Sequence, residues 1–364
     1  MLLRRLWLVD FRNFGEATID LAVGLTAFVG ENGQGKTNVL EAAGFVSTLL
    51  SFRGASTEHL VRSGGATAIL RAEGAQGDRE LLVEVEIPLT GRVRAQLNRQ
   101  RLRRAADLAE VAAVTVFAPG DLDLIKEGPA GRRMFLDELL VSINARHGVV
   151  LGELERILRQ RAALLRQCAG RLSNEAELTL DVWDSKLAPV GERVAALRSA
   201  LVDALAEPVS QAYGELAGGG EPVVLRYEAP WRDLPYGEAL AQARSADLAR
   251  ALTTVGPHRD ELVVSLAGLP ARMTASQGEQ RCLALALKLA GHRLATQRRG
   301  EAPLLLLDDV FSELDPQRAA ALLAHLPPGQ TLLSSASRLP DGAQAELVYE
   351  VRGGTLVARG SATA

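Results

Sequence analysis

The sequence predicts an α/β fold in which one nucleotide-binding domain is split by a helical insertion. Three observations predict it. Gly30-Glu31-Asn32-Gly33-Gln34-Gly35-Lys36-Thr37 matches G-x-x-x-x-G-K-[ST] at every fixed position. Leu304-Leu305-Leu306-Leu307-Asp308-Asp309 reads as a short buried strand that ends in two carboxylates. Between them, from about Gly131 to Tyr213, the apolar residues fall at helical spacing. The loop and the carboxylates are useless apart. Residues 1–125 and 252–364 are therefore expected to form one domain, with 126–251 as an inserted helical arm.

Along the first segment, Leu2–Val9, Ala17–Leu21 and Leu25–Val29 read as strands, and a helix runs from the loop to about Leu50. Ile69–Ala72, Leu81–Ile87, Arg92–Leu97 and Val111–Phe117 read as further strands. In the insertion, Phe135, Leu136, Leu139, Leu140 and Ile143 form one apolar stripe, and Leu151, Leu154, Leu158 and Leu165 another. Trp183, Leu187, Val190, Val194, Leu197 and Leu201 repeat at spacings of four and three, which predicts a packed antiparallel helix pair. Val223–Tyr227 returns to strand, and Tyr236–Ala251 to helix. The last third reads as strand Leu262–Leu266, a helix after Ser276, strand Leu304–Leu307, helix Pro316–Ala324 and strand Thr331–Ser334.

Composition bounds the function. The 364 residues are 47% hydrophobic but only 4% aromatic, so the core is aliphatic. No apolar run is long enough to span a bilayer, and the N-terminus lacks a signal peptide's apolar region. Cys168 and Cys282 fall in helical patterns and read as small buried apolar groups. These features point to a cytoplasmic protein. A net charge of −3 makes any basic surface local. Arg92, Arg94, Arg99, Arg101, Arg103 and Arg104 lie in a stretch without acidic residues, suited either to phosphate contacts or to a solvated hairpin. Arg156, Arg159, Arg161 and Arg166 read as the solvated face of an arm helix.

The chemistry follows from the motifs. Gly30, Gly33 and Gly35 let the backbone approach phosphates, and the helix N-terminus favours an anion. Lys36 is expected to reach the β- and γ-phosphates, and Thr37 to bind Mg²⁺. Asp308 is placed for Mg²⁺ coordination, and Asp309 for orienting or deprotonating an attacking water. Ser276-Gln277-Gly278-Glu279-Gln280 opens a helix. It reads either as a capping box alone or as an anion site for a nucleotide held by a second subunit.

With Ser312-Glu313-Leu314-Asp315 added, the phosphate loop, the S-x-G-E-x segment and the carboxylate strand resemble the ABC/SMC class of ATPase heads. More narrowly, the chain is similar to the RecF family of bacterial recombination mediators. The matching segments are 9–14, 30–38, 117–122, 132–137, 256–260 and 307–315. They span nearly the whole chain. The resemblance implies an ABC-type P-loop ATPase head with an inserted, mainly helical arm. It implies ATP and Mg²⁺ as ligands, and ATP-dependent homodimerisation with two nucleotides between two heads. Ser276 and Gly278 of one subunit would contact the γ-phosphate held at Lys36 of the other, and Gln280 and the D-loop Asp315 would also bind nucleotide. Arg12, Asn13, Glu31, Asn32, Gln34 and Asn38 would line the chain's own site. It also implies DNA, RecR-like and RecO-like partners, nucleoid association, and a weak DNA-dependent ATPase of recombinational repair. A transporter-type ABC subunit is the alternative. Two departures stand out. Ala118-Pro119-Gly120 occupies the place of the expected Gln, and Ser334-Ser335 that of the expected switch His. Slow hydrolysis follows.

Overall fold

The computed structural model describes residues 1–359 except 103–104, 169, 171–172, 337–338 and 340. Arg103 and Arg104 lie outside the described residues. The chain opens with β1 (Leu2–Phe11), β2 (Phe14–Asp20), β3 (Leu25–Val29) and α1 (Lys36–Thr48). Then come β4 (Thr67–Gln76), β5 (Arg79–Pro88), β6 (Arg94–Leu97), β7 (Gln100–Arg101), α2 (Ala105–Ala109) and β8 (Val114–Phe117). The middle holds α3 (Asp123–Lys126), α4 (Pro129–Ile143), α5 (His147–Cys168), α6 (Asn174–Ala217), β9 (Val223–Glu228) and α7 (Tyr236–Arg250). It continues through β10 (Glu261–Leu266), β11 (Leu269–Pro270), α8 (Ala271–Thr274) and α9 (Gln277–Arg299). The chain ends with β12 (Leu304–Asp308), α10 (Pro316–Ala324), β13 (Thr331–Ser335), β14 (Leu347–Arg352) and β15 (Thr355–Arg359).

Two compact units result. The first comprises Met1–Leu122, Gln211–Gly220 and Arg281–Ala364. It contains two six-stranded sheets. One is antiparallel, in the order β2-β1-β4-β5-β6-β7. The other runs β15-β14-β3-β13-β12-β8, and its five strands from β14 to β8 are mutually parallel. In this second sheet β3 lies between two strands from the far end of the sequence, as the split head requires. Helix α1 packs between the sheets. Val39, Leu40, Ala42, Ala43, Phe45 and Val46 share one core cluster with Leu6, Leu8 and Leu70 of one sheet and Phe28, Leu306 and Leu332 of the other. Each fully buried Leu or Phe contributes about 1.5–3 kcal/mol. Buried Gln330 ties the ends of the chain together. Its Oε1 accepts from Leu3 N–H at 2.8 Å, and its Nε2 donates to the carbonyls of Leu3 and Ala22.

The second unit comprises Asp123–Ser210 and Glu221–Gln280. It is helical except for a small sheet in the order β11-β10-β9. Antiparallel pairing of β9 with β10, Val223 opposite Leu266, draws residues near 261–266 to the inserted segment. The compact units thus cut the chain differently from the three-segment expectation of 1–125, 126–251 and 252–364. Helix α6 is longer than its heptad seam suggested. It runs 44 residues through Pro189 and Pro208, about 66 Å at the usual helical rise. Leu154 and Ile157 of α5 pack with Leu187 and Val194 of α6 and with Tyr236 and Leu240 of α7.

The expected solvated face of α5 is corrected at one position. Arg156, Arg159 and Arg166 are exposed, and Arg159 pairs with Glu155. Arg161 is fully buried. Its Nε donates to Asp184 Oδ1 and one terminal nitrogen to Asp247 Oδ2, both at 2.6 Å, while Thr253 Oγ1 accepts at 2.9 Å. Two carboxylates from two other helices supply the charge that makes burial tolerable. The sequence around Arg161 carries no sign of partners 23 and 86 residues away.

Among the described residues, no helix is long and apolar enough to cross a membrane. Arg161→Ala would leave Asp184 and Asp247 without their shared cation. It is expected to cost about 3–5 kcal/mol in urea-denaturation stability.

Candidate functional site

The site stands at the carboxyl ends of adjacent parallel strands, where α/β sheets place their ligands. Strand β3 ends at Val29, and the phosphate loop carries the chain into α1. Two glycines are required by geometry. Gly30 has φ +152°, and a Cβ there would lie 2.4 Å from the Val351 carbonyl oxygen. Gly35 has φ +114°, and a Cβ there would lie 2.6 Å from Asn13 Nδ2. Lys36 is buried. Its Nζ donates to the carbonyls of Gly30 and Glu31, each at 2.7 Å, which folds the loop around the ammonium. Burial lowers the Lys36 pKa, while Asp309 and Asp308 pull it up. The cation therefore sits in a partly dry, anion-seeking position.

The carboxylates arrive from β12, two strands away across β13. Asp308 stands opposite Ser334 in the parallel register. Its Oδ1 accepts from Thr37 Oγ1 at 2.8 Å and from Ser334 Oγ at 2.7 Å. Ser334 Oγ in turn accepts from Asp309 N–H at 2.9 Å. Burial pushes the Asp308 pKa up, against the two hydroxyl hydrogen bonds that lower it. A bound cation would offset that burial cost. Thr37 and Asp308 therefore fit a hard divalent ion, with oxygen ligands from two elements already in contact. Among the described residues, no group of three or more His, Cys, Asp or Glu could hold a metal by itself. Asp309 adopts φ +50° at the start of a short turn and lines the adjoining cavity.

That cavity, about 530 Å³, is lined by Arg12, Asn13, Asn32, Gly33, Gly35, Lys36, Thr37, Asn38, Arg53, His59 and Asp309. Most of the residues read from the sequence converge here. Asn13 and Gln34 prove to be tied to the loop's own framework. Asn13 Nδ2 donates to the Gln34 carbonyl and its Oδ1 accepts from Asn38 Nδ2, both at 2.8 Å. Gln34 Oε1 accepts from Gly353 N–H at 2.7 Å. The β14–β15 turn, with φ +53° at Gly353 and +80° at Gly354, thus braces the phosphate loop.

Ser276, Gly278 and Gln280 belong to the other compact unit. The capping box is present: Ser276 N–H donates to Glu279 Oε2 at 2.7 Å, and Glu279 N–H to Ser276 Oγ at 3.4 Å. Gln280 Nε2 donates to the Arg272 carbonyl. Asp315 is the N-cap of α10, accepting from Arg318 N–H at 3.0 Å. That bond and the Arg318 charge lower its pKa. In the arginine tract, Arg94 pairs with Glu86, while Arg92, Arg99 and Arg101 are exposed. Arg99 sits at the tip of the β6–β7 hairpin beside Asn98, both with positive φ.

Sequence reasoning missed three contributors. Ser334 was read only as the place of a missing His, because its neighbour Asp308 is set by the strand register and not by sequence spacing. Arg53 and His59 carry no motif signal, because they lie in the connection after α1, Arg53 in a turn and His59 in a single 3-10 turn.

The model of the RecF/RecN/SMC N-terminal domain matches residues 2–331. The "DNA replication and repair protein RecF" of Frankia alni is 44% identical over 356 residues, 93% of each chain. That of Streptomyces avermitilis is 43% identical, over 96% of this chain and 97% of its own. The chain belongs to the RecF family. A solved recombination mediator protein, RecF-ATP in the RecFOR pathway, superposes with a TM-score of 0.89 at 27% identity. The match covers 98% of this chain and 97% of that one. An Smc head bound to the C-winged helix domain of ScpA shares the fold, with a TM-score of 0.62 at 18% identity. The RecF relationship thus confirms the SMC-like head and sets the transporter reading aside.

Gly35→Ala would force a Cβ into Asn13 at a φ that L-residues avoid. It is expected to cost on the order of 1–3 kcal/mol of stability. Titration with a fluorescent ATP analogue should show binding reduced beyond what the fraction unfolded explains.

Proposed function

We propose that this chain is an ATP-dependent DNA-binding protein of recombinational repair and replication restart, in which ATP binding joins two copies head to head around DNA. The observation that carries the nucleotide part is the contact between Thr37 and Asp308. It sets a phosphate loop and a carboxylate strand, 271 residues apart, at hydrogen-bond distance. The RecF-ATP relative supports ATP as the nucleotide.

In this reading Lys36, Gly33, Gly35 and the first amides of α1 bind the phosphates. Thr37 and Asp308 hold Mg²⁺, which when bound neutralises phosphate charge. Ser334 keeps the Asp308 carboxylate turned toward Thr37, and its bond to Asp309 N–H fixes the start of the following turn. Asp309 orients or deprotonates water. Ser276, Gly278, Gln280 and Asp315 of one copy complete the site of the other, so a lone copy is half a machine. Hydrolysis is slow, in line with Ser334-Ser335 in place of a switch His, and it releases the dimer. DNA is bound through its phosphates, with gapped or duplex–single-strand junctions as targets. RecR-like and RecO-like proteins are the partners in recombinase loading, in the cytoplasm at the nucleoid. The solved relative, a recombination mediator of the RecFOR pathway, supports that assignment.

Four outcomes test this. Sedimentation should show wild type as a dimer with ATP and a monomer without it. Ser276→Arg should bind ATP but stay monomeric, and a Ser276→Arg dimer would sink the shared-site reading. Asp309→Asn should hold the ATP dimer on duplex DNA and lower single-turnover hydrolysis by roughly 10²- to 10⁴-fold, the range of a lost general base. Filter binding of wild type to duplex DNA should strengthen with ATP and weaken steeply with salt. Equal affinity with and without ATP would overturn the clamp.

A further inference from the structure

We propose that Glu41, which no sequence motif assigns to the site, is the positioning residue that aims Arg12 into the nucleotide cavity. The inference rests on the nucleotide reading above and deepens it.

Glu41 lies on α1, five residues after Lys36, and is completely buried. A carboxylate on the core face of a central helix is costly unless it is paired and hydrogen-bonded. Here it is paired in detail. Arg12 Nε donates to Glu41 Oε2 at 2.8 Å, and an Arg12 terminal nitrogen donates to Oε1 at 2.7 Å. Ser51 Oγ donates to Oε1 as well. Arg53 stands 3.9 Å from Oε2 and reaches Asn38 Oδ1 at 3.3 Å.

The backbone cooperates. Arg12 takes φ +55° in the β1–β2 turn, an unusual state for a residue with a long side chain. Its N–H bonds the Leu60 carbonyl at 2.8 Å, which anchors the turn. Its other terminal nitrogen donates to the His59 carbonyl at 2.9 Å. A guanidinium carries five N–H groups in one plane. Three are committed here, and the remaining two sit one on each terminal nitrogen. Arg12 also lines the cavity beside Lys36 and Asn38. Glu41 therefore does two things. It locks the plane of the fork, and it neutralises Arg12 so that the site is not filled with repelling cations. What Arg12 offers to an anionic or polar group of the nucleotide is a pre-aimed pair of N–H donors, with little side-chain freedom left to lose.

The test is a double-mutant cycle on the full-length protein, read by titration with a fluorescent ATP analogue and by urea denaturation. Arg12→Ala and Glu41→Gln should each weaken binding roughly tenfold, the scale of one charge-assisted hydrogen bond. In the Arg12→Ala background, Glu41→Gln should change the Kd less than about twofold, because its effect passes through Arg12. A Glu41→Gln loss that persists undiminished without Arg12 would overturn the inference in favour of a structural role. So would Glu41→Gln with wild-type affinity while Lys36→Ala has lost binding. If Lys36→Ala binds as well as wild type, the nucleotide reading itself falls. Should Glu41→Gln fail to fold, Arg12→Lys carries the test. It keeps the charge without the planar fork and should match Arg12→Ala, and wild-type binding by Arg12→Lys would overturn the proposal.

Discussion

The bond from Thr37 to Asp308 is the constraint on which the site depends. Neither residue is near the other in sequence, and neither strand that delivers them touches the other. Strand β13 lies between them, and its register sets Ser334 beside Asp308 on one side and beside Phe28 on the other. A slip of one residue would turn Asp308 to the opposite face of the sheet and remove it from the loop. Strands β12 and β13 are buried along their whole length, so no polar face sets that register, and the bonds from Thr37 and Ser334 to Asp308 are made only in this one.

Stability and function share the same contacts in this region. Helix α1 is the inner layer between two sheets, so its position fixes both the core and the amides that face the cavity. Its two buried charged side chains, Lys36 and Glu41, are carried by that same rigid element. Each is satisfied by groups from outside the helix: loop carbonyls for Lys36, and Arg12 and Ser51 for Glu41. The phosphate loop is held from behind by Asn13 and by the turn at Gly353–Gly354. Asn13 and Gln34, which belong to the motif segments, thus also brace the loop. The second unit uses the same device for a different end, in the buried Arg161 with its two aspartates.

The sequence by itself determined the strand–loop–helix around Lys36 and the carboxylate strand at Asp308. It also determined the helical character of the insertion and the capping box at Ser276. These are local patterns: a fixed spacing of glycines, a short apolar run, a period of three and four. It also determined that the two outer segments must meet, since half a nucleotide site has no use. Tertiary structure alone decided which side chains share a partner. Arg161 read as solvated because charge on a helix is usually exposed, and only folding brought Asp184 and Asp247 to it. Ser334, Arg53 and Glu41 left no signal, because a serine at a strand end or a glutamate on a helix is common. The β14–β15 hairpin became legible only as the brace behind Gln34. Pairing across hundreds of residues is set by burial and register in three dimensions, and no one-dimensional spacing encodes it.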